Sequence, residues 1–355
     1  MDSFLGSSPL ATSFIMNRSD WIGLILVAVG SAAGIAHTFT GPASPPPDIR
    51  STSALSPTTR GLGLGESTEQ QLANELASLF GSWDSPSLEN TPFAWAEKDA
   101  EAWEGAPSLY ARKCAHCHGN TGAADTTTAS MLAPKPRDLS LGVMKFTSTP
   151  MNQAPLLSDI EDVTRDGIPS TAMAGFSALS KSDLRAVSLY TAWLLFRGDT
   201  EQRAAKVLKE HLNGIPNIVA QALADAQISW SSEAIPIPKD LLNPNSSSAS
   251  RGAQLIQDPK AGCTACHGPD LKGKGPASWS PTESKWLLQD IWGNQSRPRG
   301  LFRETLAGGD SAEDLFRQIA IGIKGTPMPG AIKHLSTQEI ADIVQYILQE
   351  RRKVQ

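Results

Sequence analysis

The chain is poor in several residue types that would open a function class. Its 355 residues include four cysteines, three tyrosines and six histidines, and its formal charge is only −5. Four cysteines, all used up in the two short motifs described next, leave no disulfide framework to read. A weakly acidic balance argues against nucleic acid as a partner. No nucleophile–base constellation, phosphate-binding glycine loop or paired-carboxylate motif is present. Aromatic residues make up only 6%, yet nine of them are tryptophan, which the pattern assigns to core packing. Hydrophobic content of 40% is ordinary for a globular chain, and this length suggests two or three domains.

What the sequence does contain is a repeated signature. Cys114-Ala115-His116-Cys117-His118 recurs as Cys263-Thr264-Ala265-Cys266-His267. Each is C-x-x-C-H, the pattern of covalent c-type haem attachment. Two thiols three residues apart lie about one helical turn from each other, so both can add to the vinyl groups of one porphyrin. The next residue, His118 or His267, can then present its imidazole to the iron. His116, between the cysteines, reads as a solvated spacer. A four-thiolate zinc site would also use Cys114, Cys117, Cys263 and Cys266. It leaves both terminal histidines unexplained and spans a far longer gap than a zinc ribbon. A redox-active disulfide pair is the remaining alternative.

The N-terminus suggests export. After residues 1–20, residues 21–36 carry no charge, and the uncharged run reaches Thr40 with only His37 inside it. Sixteen helical residues span about 24 Å and twenty about 30 Å, against a hydrocarbon core of about 30 Å. Residues 21–40 therefore read as a single membrane anchor, with Arg18 on its inner side and Asp20 diluting that bias. Small residues Gly34 and Ala36 would alternatively serve a signal peptidase. Residues 41–65, with Pro45-Pro46-Pro47, read as a tether with a reach of about 25–30 Å if flexible.

The remainder divides into two similar halves. Residues 66–80 place Leu72, Leu76, Leu79 and Phe80 at helical spacing. Trp83, Phe93, Trp95 and Trp103 follow, and residues 103–113 are expected to form the helix leading into the first motif. Downstream come Pro136-Arg137-Asp138-Leu139 and Gly167-Ile168-Pro169-Ser170-Thr171-Ala172-Met173; in the second half, Pro298-Arg299-Gly300-Leu301 and Gly322-Ile323-Lys324-Gly325-Thr326-Pro327-Met328-Pro329. Each half ends in an amphipathic helix opened by a serine, Ser180 or Ser336, the latter with Glu339 as a capping box. Motif, loops, methionine loop and closing helix thus occur twice, which argues for duplication. The expected domains are 66–198 and 246–355, joined by a helical connection and linker over 199–245.

The second axial ligand decides what such an iron does. Met328 is the one methionine after Cys266, and its flanking prolines restrict the loop so that a thioether can be aimed at iron. His334 is its fallback. Met173 holds the equivalent place in the first half, where Thr171-Ala172-Met173-Ala174-Gly175 lacks the flanking prolines and should hold it less rigidly. Met131, Met144 and Met151 read as packing residues, His37 and His211 as incidental. Histidine–methionine ligation raises the reduction potential and closes the iron to small molecules.

With these motifs in view, each half resembles a class I cytochrome c domain. The resemblance covers about residues 100–198 and 247–352 and implies an all-α fold with two tandem domains after an anchor and tether. It implies two covalently bound haem c groups. It also implies that a proline carbonyl, Pro136 or Pro298, orients the proximal imidazole, and that Arg137 and Arg299 meet haem propionates. The expected function is electron transfer rather than catalysis, by a protein on the periplasmic side of the cytoplasmic membrane. Its expected partners are redox proteins of the respiratory chain: a quinol-oxidising complex, a terminal oxidase or a soluble cytochrome. A fixed subunit of a larger complex is a close variant, and a dihaem cytochrome c peroxidase is the enzymatic alternative.

Overall fold

The computed structural model describes residues 55–93, 100–211 and 214–354, all in one compact unit. The expected anchor (21–40), the first part of the tether and Trp95 lie outside the described residues. Among the described residues no helix is long and apolar enough to cross a membrane.

The fold is mostly helical, and each half has its own apolar core. In the first half, α1 (Glu66–Phe80) buries Leu72, Leu76 and Phe80 as its spacing predicts. Helix α2 (Ala100–Lys113) leads into the first motif and α3 (Leu157–Asp166) into the first methionine loop. Helix α4 (Lys181–Leu208) opens where Ser180 accepts the Asp183 N–H at 3.0 Å. It does not stop near residue 198, where the first domain was expected to end. Ala204, Ala205 and Leu208 continue its buried face, and Arg203 pairs with Asp199 one turn back at 2.8 Å. Helix α5 (Ile215–Trp230) then folds back and buries Val219, Ala222, Ala226 and Trp230 in the same core. Most of the expected connection is thus part of the first half. Among the described residues, Trp83, Trp193 and Trp230 act as packing: Trp83 meets Trp193 edge-on at 5.4 Å, near the Tyr110–Tyr190 contact at 4.9 Å.

Residues 55–65, read as the end of a tether, are packed instead. Arg197 and Glu201 form a 2.8 Å pair on α4 with almost no exposure, and a buried carboxylate needs further donors. The Ser56 N–H supplies one at 2.8 Å, with Leu55 and Leu64 buried around it. Thr58 adds a hydrogen bond to Asp138 at 3.0 Å.

The second half is smaller and aliphatic. Helices α6 (Ser246–Leu255), α7 (Ala312–Ile321) and α8 (Thr337–Arg352) enclose Ile256, Leu315, Phe316, Ile340, Ile343, Val344 and Ile347. Gly252 is needed where α6 meets α8, because a Cβ there would run into the Asp342 carbonyl. Ser336 and Glu339 form the capping box of α8. The departure from an all-α fold is a short hairpin, β1 (Trp279–Ser280) with β2 (Lys285–Trp286), which pairs Trp279 with Trp286.

Candidate haem sites

Each C-x-x-C-H motif forms one turn of helix, Ala115–His118 and Cys263–His267. In the first, the amides of Cys117 and His118 both donate to the Cys114 carbonyl, at 3.1 and 2.9 Å, so the two thiols share one turn. All four cysteines are free and half-buried. Burial, followed by the nearby Cys117, pushes the Cys114 thiol up to about 12. Among the described residues no group of three or more His, Cys, Asp or Glu could hold a metal ion, so the four-thiolate zinc alternative is not formed.

The two proximal histidines are held alike. His118 Nδ1 lies 3.0 Å from the Arg137 carbonyl, and His267 Nδ1 lies 3.0 Å from the Arg299 carbonyl. A carbonyl only accepts, so Nδ1 carries the proton and Nε2 keeps its lone pair for a metal. Burial lowers both imidazole pKa values, with the carbonyl bond opposing it, which favours the neutral form that ligates. The carbonyls are those of the arginines and not of Pro136 and Pro298, one residue earlier. Asp138 is extended, so the carbonyl before it and the amide after it point the same way. That carbonyl is Arg137's, and the Leu139 amide donates to Gly122 at 2.7 Å. The second half repeats this, with the Leu301 amide donating to Leu271 at 2.9 Å.

The methionine loops also match. Ile168 N–H donates to the Met173 carbonyl at 2.9 Å, and Ile323 N–H to that of Met328 at 3.1 Å. Thr171 and Thr326 hydroxyls donate to the carbonyls of Ile168 and Ile323 at 2.8 and 2.7 Å. The same hydroxyls accept the amides of Met173 and Met328 at 3.1 and 3.2 Å. Both methionine side chains are half-buried. The first loop is therefore bonded as fully as the second, although alanines and not prolines flank its methionine. Two thiols on a turn, a neutral imidazole and a methionine whose backbone is pinned fit a c-type haem in each half. When bound, that group supplies an iron able to take up and release one electron.

The remaining sequence candidates fall elsewhere. His116 is exposed and bonded to Thr128 at 3.0 Å, and His211 and His334 are exposed. Met144 packs on the first core, while Met151 lies against Gly322 of the other half. Met131, read as a packing residue, is instead 78% exposed, since its short helix has only Ala129 to bury. A seam between the halves brings residues missed in the sequence, Asp290, Trp292, Lys145 and Thr149, onto or beside Arg137, Asp138 and Lys324. Asp290 takes Arg137 at 2.9 Å and Lys145 at 3.5 Å, and Trp292 Nε1 donates to the Asp138 carbonyl at 3.3 Å. Buried Lys324 donates to Thr149 Oγ1 at 2.7 Å. Such pairs lie 145 to 175 residues apart, and no local spacing announces them.

Comparison with known proteins agrees with this geometry. Residues 249–350 match the family described as cytochrome c, and residues 101–190 match cytochrome c oxidase, cbb3-type, subunit III. A search of curated proteins returns no match. Among solved structures, a chain of the Kuenenia stuttgartiensis reducing HAO-like protein complex is similar at 23% identity. That likeness covers 72% of this chain and 97% of the other with a TM-score of 0.52, and it speaks to the fold. Together with the site geometry, these matches make the chain a haem-binding electron-transfer protein built on cytochrome c domains.

Proposed function

We propose that the chain is a membrane-tethered dihaem cytochrome c. Each half holds one haem through its cysteine pair, with His118 and Met173 as axial ligands in the first half and His267 and Met328 in the second. The observation that carries this reading is the equivalence of the two methionine loops, which share the same hydrogen bonds to isoleucine and threonine. The chain's own residues fix the ligands before any electron arrives. The arginine carbonyls orient the imidazoles, and the threonine hydroxyls fix the methionine backbones. Small reorganisation of this kind suits rapid one-electron exchange.

The haem domains face the periplasm, anchored by residues 21–40, and pass electrons from a quinol-oxidising complex towards a terminal oxidase or another acceptor. The match of the first half to an oxidase subunit family supports a fixed subunit over a free carrier. The peroxidase alternative needs one iron open to peroxide, and two equally bonded methionine loops speak against it.

A redox titration of the full-length protein, followed by absorption and paramagnetic resonance, tests the proposal. It should return two haem c groups per chain, each low-spin with a histidine–methionine pair. One haem per chain, or ready carbon monoxide binding without denaturation, would overturn it. Copurification with an oxidase core would distinguish subunit from carrier.

A further inference from the structure

The seam between the halves is made from the segments that hold the ligands. Asp290 is its centre, with a side chain only 2% exposed. Its Oδ1 accepts from the amides of Trp292 at 3.2 Å and Asn294 at 2.9 Å, and from the Asn294 side chain at 3.4 Å. The carboxylate is thus fixed by its own loop, and its Oδ2 is offered to the first half. There it meets Arg137 Nη1 at 2.9 Å and Lys145 Nζ at 3.5 Å. Arg137 is the residue whose carbonyl holds His118. Its guanidinium also lies 4.8 Å from the centre of the Trp292 ring. Residues 290–292 of the second half therefore grip Arg137 by its side chain and Asp138 by its carbonyl.

The contact is reciprocal. Arg299, whose carbonyl holds His267, reaches Ser170 of the first methionine loop at 3.4 Å. Its side chain is more exposed and its bond longer, so the stronger grip runs from the second half onto the first. Exposed ion pairs contribute little, but a carboxylate withdrawn from water interacts strongly with its neighbours.

We infer that Asp290 is a positioning residue through which the second half sets the reduction potential of the first iron site. Two effects act in the same direction. The negative charge favours the more positive, oxidised iron. Anchoring Arg137 also keeps its carbonyl on the His118 Nδ1–H, which makes the imidazole a stronger donor to oxidised iron. Asp290 therefore holds the first site's potential down and leaves the second site's less affected.

This inference rests on the dihaem reading, and the test separates the two. Full-length, haem-loaded protein is titrated at pH 6.5 as wild type, Asp290→Asn, Asp290→Glu and Lys145→Gln. A Met173→His variant assigns the first site's wave. Asp290→Asn should shift the first site's redox equilibrium about tenfold towards the reduced form, about 59 mV for one electron. Asp290→Glu should restore the wild-type value, and Lys145→Gln, which removes a cation from the same carboxylate, should shift the wave the opposite way. A purely structural role would not produce opposite signs. If Asp290→Asn does not accumulate, Lys145→Gln decides alone. A first wave that stays in place, or moves the same way in both variants, overturns the inference while leaving the dihaem reading intact. A wild type with a single haem overturns both.

Discussion

The two methionine loops reach the same backbone from different sequences. One reads Gly-Ile-Pro-Ser-Thr-Ala-Met and the other Gly-Ile-Lys-Gly-Thr-Pro-Met. Both begin at a glycine that ends a helix with positive φ, 73° at Gly167 and 86° at Gly322. Both use threonine as a two-way clamp, and both turn through a left-handed residue, Ser170 at 59° and Gly325 at 71°. What they share is the glycine, the isoleucine amide and the threonine hydroxyl. The prolines beside Met328 are an addition to a loop that forms without them.

The ligands themselves give the largest test of that equivalence. Met173→Ala and Met328→Ala should each lower one site's potential by a similar amount, on the order of 0.2 V of the roughly 0.8 V that axial ligands span. Each should also let carbon monoxide bind one iron per chain. Potentiometry and gas titration of the two variants check this, and a normal potential in Met173→Ala would show that the first loop does not deliver its methionine.

The glycines come next. A Cβ at Gly167 would lie 2.5 Å from the Met173 carbonyl, and one at Gly322 2.5 Å from that of Met328. Added to the positive φ, this should cost about 3 kcal/mol in either Gly167→Ala or Gly322→Ala. Denaturant unfolding of the two variants measures it. A cost confined to one half would break the equivalence.

A third test exploits the position where the loops differ most in charge. Lys324 stands where the first loop has Pro169, and burial between the halves pushes its ammonium down from 10.5 to about 8. The unfolded chain therefore binds more protons than the folded one between about pH 8 and 10.5, so stability gains with rising pH across that window. Measured against Lys324→Met, the wild type should gain about 2 kcal/mol from pH 8 to pH 10.5. Parallel stability curves for the two proteins would count against burial depressing the Lys324 ammonium in the seam. Pro169 gives the first loop no such dependence.

Much of this architecture was legible because it is local. The haem motifs fit within one turn, and Ser180 and Ser336 cap the helices they precede. The register of α1 and α8 follows from their apolar spacing. Contacts at long range were not legible. Gly198-Asp199 looks like a helix end, yet the helix runs through it. A Cβ at Gly198 would lie 2.5 Å from the Ser140 carbonyl, so the glycine serves the approach of a neighbouring turn. The tether's packed end depends on a buried carboxylate at Glu201, which no feature of residues 55–65 reveals. Arg137 was picked out for its side chain, whereas its carbonyl meets the histidine; the dihedrals of Asp138 decide that.

The smallest expected effect is the most direct test of what the prolines do. If backbone and threonine bonds shape the second loop, Pro327→Ala and Pro329→Ala together recreate the alanines beside Met173. Proline at a compatible position stabilises mainly by restricting the unfolded chain, by about 0.4–1 kcal/mol each. The double variant should therefore lose no more than about 2 kcal/mol and keep its second-site potential and absorption unchanged. Thermal unfolding and potentiometry on one preparation separate these outcomes. A second iron that loses its methionine in this variant would mean that the prolines hold the ligand, and that the alanine loop of the first half holds Met173 by something the second half lacks.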